Sequence, residues 1–212
     1  LRPQPILYFP DGQSSEHGSI LEGKEIIMTS KNAFTAEEWV TLKTGLLDAG
    51  RYLVLADPIG RGDMTKEARA IAGFFADLRD QADRAGLKNE LLQALVTDGG
   101  TGEQSSDLSI GSLPNLASEE MANLKRATLE NMEKAGALLD AKASPDEASE
   151  IKIKMYQLAG QTAAAAKEGS FFGIGGVRLT LTEKAALEEV ARVLNVNPAD
   201  AAESPRLPGQ EA

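Results

Sequence analysis

Two stretches of the chain echo each other, and the echo limits the architectures open to it. Asp57-Pro-Ile-Gly-Arg-Gly-Asp63-Met-Thr-Lys-Glu67 is answered by Asp140-Ala-Lys-Ala-Ser-Pro-Asp146-Glu-Ala-Ser-Glu150, with three carboxylates at the same internal spacing. Each stretch lies between two segments of helical periodicity, so each reads as the joint of a helix-joint-helix unit. Before the first joint, Glu37, Glu38, Leu42, Lys43 and Leu47 recur as Glu119, Glu120, Leu124, Lys125 and Leu129 at a constant offset. Matching spacing on both sides, broken by one inserted residue, points to an internal duplication. The expected fold is all-α: two similar three-helix units packed together as one pseudo-symmetric bundle.

The helical signals are specific. Thr35-Ala-Glu-Glu38 is a capping box, with Phe34 placed to staple it. From there Trp39, Leu42, Leu46, Ala49, Leu53 and Ala56 form one stripe, widened by Val40, Leu47 and Val54. Pro58 disfavours helical geometry at Asp57, and Gly60 and Gly62 permit a reversal. A second helix is expected from about Asp63 to Ala85, carrying Met64, Ala68, Ile71, Phe75, Leu78 and Ala82 inward. Its short joint predicts that it runs antiparallel beside the first. Lys88 to Val96 reads as a short third helix that packs back through Leu91, Leu92, Leu95 and Val96.

In the second unit Ser144-Pro145-Asp146-Glu147 is a helix start, with Ser at the cap and Pro at the first position. That helix turns Ile151, Met155, Leu158, Thr162 and Ala165 inward, and its alanines allow close packing. A final helix is expected from about Thr182 to Leu194. The boundaries that follow are a tail over 1–30, a first unit over 31–97, a linker over 98–118, a second unit over 119–196 and a tail over 197–212. The linker rests on Gly99-Gly-Thr-Gly102 and Ser105-Ser106, and Met28 reads as a natural start. The apolar Ile6 to Phe9 could form a strand-like arm, but no partner strand is visible nearby. Gly169 to Gly176 is rich in glycine, yet it lacks the glycine order and the Lys-Ser/Thr of a phosphate loop. It reads as a turn whose Phe171 and Phe172 plug the core.

Composition closes several classes of function. The 212 residues contain no cysteine and one histidine, His17, in the N-terminal tail. Thiolate metal sites, cysteine nucleophiles, histidine triads and multi-histidine centres therefore lack their groups. A formal charge of −10 argues against nucleic acid, whose phosphates the surface would repel. No apolar run approaches the roughly 20 residues of a membrane span, and Leu1 to Pro10 lacks the order of a secretory signal, so a cytoplasmic location is expected.

What chemistry remains lies in the joints. Asp63 with Glu67, and Asp146 with Glu150, stand four apart at helix starts, where the macrodipole favours a carboxylate without any function. Like charges at that spacing repel, however, and an Asp closing the preceding helix opposes that helix's dipole. Asp57, Asp63, Glu67, Asp140, Asp146 and Glu150 are therefore candidate oxygen ligands for Ca²⁺ or Mg²⁺. Ile59 and Arg61 exclude an EF-hand spacing. Helix capping and a docking surface for a basic partner are the other readings.

A helix ending in Ala56-Asp57, a glycine-bearing turn, and Asp63 and Glu67 at the next helix start, repeated around Asp140 and Glu150, resembles the TerB-like family of tellurite-resistance-associated helical proteins. The resemblance spans roughly residues 35–97 and 119–195. It implies a compact all-α domain in the cytoplasm, associated with metal-related stress and with acidic residues that hold a cation. The family's Asp-Gly is Asp57-Pro58 here and Asp140-Ala141 in the echo. The function expected is a non-catalytic, stress-associated module that binds a divalent cation or a protein partner through its joints. The alternative is a structural scaffold, without a ligand, that pairs with another protein or with itself.

Overall fold

A computed structural model of the protein describes residues 29–56, 61–85, 87–98, 117–165 and 179–203, and the side chains of these except 61–64 and 85. Seven α-helices are described: α1 Ala36–Ala56, α2 Arg61–Ala85, α3 Glu90–Thr97, α4 Ser118–Lys142, α5 Pro145–Ala165, α6 Leu181–Leu194 and α7 Pro198–Glu203. No strand occurs among the described residues. The strand-like arm at Ile6 to Phe9 and the plug at Phe171 and Phe172 lie outside them.

The helix starts follow their local chemistry. Thr35 N donates to Glu38 Oε2 at 2.8 Å and Glu38 N to Thr35 Oγ1 at 3.2 Å, which closes the expected capping box. Phe34 meets Trp39 with ring centroids 6.1 Å apart, completing the staple across the box. Asn89 accepts from Leu92 N and so caps α3. Thr180 and Glu183 cap α6 reciprocally. At its other end Asn195 adopts a left-handed conformation (φ 52°), and Val196 N reaches back to Ala191 O at 2.9 Å.

The first and fourth helices run antiparallel and form the principal packing seam. Contacts between them succeed one another in order: Glu38 with Lys142, Gly45 with Ala135, Asp48 with Asn131 and Tyr52 with Lys125. Gly45 makes this approach possible, because a Cβ there would stand 2.3 Å from that of Ala135. The fifth helix is central and packs against each of the other six. It accordingly buries side chains around most of its circumference, including Ile151, Met155, Leu158, Thr162 and Ala163. Of its five expected inward residues only Ala165 is not fully buried.

Several expectations require correction. The first and second helices share a short joint, but they touch sparsely, and α2 packs mainly on α5. The α1·α5 packing has no counterpart of similar extent between α4 and α2, so the helix packing departs from the pseudo-symmetry expected of two equivalent units. Val40 is 50% exposed, on the outer side of a helix whose other flank carries Tyr52 and Leu55 inward. Thr29, placed in the tail by its sequence, is buried: its N–H donates to both carboxylate oxygens of Glu147 at 3.1 Å. Residues 198–203, also placed in a tail, form α7, which buries Ala201 and is tied to the core by Gln157 Nε2 donating to Ala201 O at 3.0 Å. Asp98 is no free linker residue either, since it accepts from Trp39 Nε1 at 2.5 Å and pairs with Lys31 at 2.7 Å. The remainder of the expected linker, 99–116, lies outside the described residues.

Candidate functional site

Of the six carboxylates singled out by the echo, the four that are described meet different environments. Asp57 and the Asp63 side chain lie outside the described residues. Glu67 is only 3% exposed on α2 and is engaged within the fold. In the second joint Asp140 is exposed near the end of α4, Asp146 is exposed in the first turn of α5, and Glu150 is half-buried a turn later. Glu150 faces the buried ammonium of Lys154, whose pKa burial pushes down and Glu150 raises part of the way back. No group of three or more acidic or histidine side chains capable of holding a metal ion occurs among the described residues. The joint is spread along two helices, with Asp140 on α4 against Lys152 and Asp146 and Glu150 on α5.

Two buried polar clusters explain neighbouring residues without any ligand. Glu147, two residues before Ser149, is the first. Desolvation pushes its carboxyl upward, but hydrogen bonds from Ser144 and Thr29 outweigh this and hold it below the usual carboxylate range. Ser144 Oγ donates to Glu147 Oε2 at 2.7 Å, and Asn89 Nδ2 donates to Glu147 O at 3.1 Å. This residue therefore clips Thr29, the start of α3 and the start of α5 together. In the second cluster Asp48 is buried between α1 and α4. Burial raises its pKa, against hydrogen bonds from Asn131 at 2.9 Å and Arg51 at 3.3 Å.

A cleft of about 250 Å³ opens beside the second joint. Its polar wall is made by Asp140 from α4, Ser149 and Lys152 from α5, and Asn195, Asn197 and Asp200 from the α6–α7 corner. Pro145, Ile153 and Val196 supply an apolar strip. Across the wall Lys152 Nζ donates to Asp140 Oδ1 at 2.5 Å, joining a Lys side chain 7% exposed to an Asp side chain 61% exposed. Asp140 is the only hydrogen-bond acceptor that the described residues offer this ammonium, which has three N–H donors. Asp200 sits on α7 and accepts from Asn197 Nδ2 at 3.2 Å.

Of the cleft's polar residues, the echo picks out Asp140 alone. Lys152 carried a signal in the chain, because it interrupts a helical face of small and apolar residues, where an ammonium needs a partner. Asn197-Pro198-Ala-Asp200 carried another, as a cap, a proline at the first helical position and an acid in the first turn. Asn197 does cap there, accepting from Ala199 N at 3.2 Å. Comparison of the chain with protein-family models, with curated proteins and with solved structures finds no match.

Proposed function

We propose that the protein is a non-catalytic helical binding module that recognises a positively charged group at its second acidic joint. The observation that carries this reading is the position of Asp140: on the wall of an open cleft, well exposed, with one carboxylate oxygen given to Lys152 and no other hydrogen bond among the described residues. Exposed Asp146 and Asp200 extend the negative field, and the chain's charge of −10 favours the approach of a cation. In this reading the duplicated joints have diverged, the first giving Glu67 to the core and the second remaining open. The TerB-like spacing of Asp140, Asp146 and Glu150 supports a cytoplasmic, stress-associated setting for such a module.

The test is calorimetric titration of the whole chain with Ca²⁺, with Mg²⁺ and with n-propylammonium, repeated on Asp140→Asn and at raised salt. Saturable heat with at least one probe, about tenfold weaker in the variant, is expected. Heat indistinguishable from dilution with all three would refute the reading.

A further inference from the structure

The size and charge of the cleft say more about what fits it. At about 250 Å³ it lies below the roughly 300–1,000 Å³ of sites that hold drug-sized ligands, and holds the volume of roughly eight waters. Its occupant is small.

Charge narrows the class. A lone anion would find Lys152, but it would also meet Asp140, Asp200 and a strongly acidic surface. A lone cation would find those carboxylates but would share Asp140 with an ammonium that is already buried there. Lys152, its side chain 7% exposed, has two N–H donors without an acceptor among the described residues and lines the cleft. A ligand with a carboxylate and an ammonium a few bonds apart answers both signs. Asn195, Asn197 and Ser149 add neutral donors and acceptors, and Pro145, Ile153 and Val196 offer a strip for a short aliphatic group.

We infer that the cleft between the second joint and the α6–α7 corner binds a small zwitterion of the amino-acid class. Its carboxylate takes the unused donors of Lys152, its ammonium lies toward Asp140 and Asp200, and its aliphatic part rests on Ile153 and Val196. This inference rests on the reading of the second joint given above. It adds Lys152 as the group that separates a zwitterion from a simple cation.

The experiment titrates the whole chain with L-valine, n-propylammonium and acetate at neutral pH, then repeats the series on Lys152→Met and Asp200→Asn. Saturable binding of L-valine is expected, with each half-ligand weaker by at least about tenfold and each variant weakened similarly. Lys152→Met should lose the preference for L-valine over propylammonium, an outcome that general destabilisation would not produce. If Lys152→Met fails to fold, the wild-type comparison and Asp200→Asn decide, because Asp200 is exposed. Propylammonium binding as tightly as L-valine overturns the inference and leaves the cationic reading standing. No saturable binding by either also overturns the inference, and the cationic reading then stands or falls on the titrations with Ca²⁺ and Mg²⁺.

Discussion

Replacing Gly45 with alanine should destabilise the protein by about 2 kcal/mol, whereas the same change at Gly73 should stabilise it by about 0.5–1 kcal/mol. A Cβ at Gly45 would stand 2.3 Å from Ala135 Cβ and 3.1 Å from Asn131 O. Neither atom is the end of a flexible chain, so α1 and α4 must separate along the seam that holds Asp48 against Asn131 and Glu38 against Lys142. Overpacking of this kind costs about 1–3 kcal/mol. A clash between groups fixed to two backbones belongs at the upper end, and the helical preference of Ala over Gly, about 1 kcal/mol, offsets part of it. At Gly73 a Cβ would meet nothing within 4 Å, so the propensity gain stands alone. The two variants should therefore differ by about 3 kcal/mol, or roughly 6–12 °C in melting temperature for a chain of this length. Urea unfolding followed by circular dichroism and by Trp39, the single tryptophan, measures the difference. Adding Ala135→Gly should restore part of the loss, because it removes the shorter contact and leaves the other. If Gly45→Ala is as stable as Gly73→Ala, the close α1·α4 crossing is refuted.

Asn89→Ala should cost about 1–2 kcal/mol in denaturant unfolding, because it removes the α3 cap and also the donor to Glu147 O. Glu147 has its folded pKa held down, so its contribution is complete above the usual carboxylate range and is lost as pH falls through the lowered value; Glu147→Gln should be less stable at neutral pH and should flatten the acid limb of a stability-pH curve. Asp48 has the opposite sign: burial raises its pKa, so its favourable contribution is present at low pH and lost as pH rises through the raised value. Asp48→Asn should therefore gain stability relative to wild type as pH increases across that window, and a constant difference between the two curves would contradict the assignment.

Much of the helical architecture was legible before any tertiary structure, because caps and periodicity are local. Thr35 with Glu38, Ser144 with Glu147, and the stripe from Trp39 to Leu53 act over one or two turns, and the chain folds there as its spacing requires. Leu91, Leu92, Leu95 and Val96 are all buried as expected, since a short helix this apolar has no other stable place. The tails were misjudged at Thr29 and at 198–203 for a related reason. Hydrogen bonds from Thr29 to Glu147 and from Gln157 to Ala201 tie these segments to residues far along the chain, and composition carries no trace of such partners.

The amino-acid sequence by itself determined an all-helical, acidic chain without thiols, with two carboxylate-bearing joints between helices. Only the tertiary structure decided that α1 lies along α4, that α5 takes the centre, and that Glu67 is buried while Asp140 is exposed. The physical reason is that helix formation depends on neighbours a turn away, whereas helix packing depends on which surfaces fit. Gly45 fits one crossing with Ala135, and that choice, together with the corner from Asn195 to Asp200, sets Lys152 and Asp140 beside a cleft that no spacing rule contains.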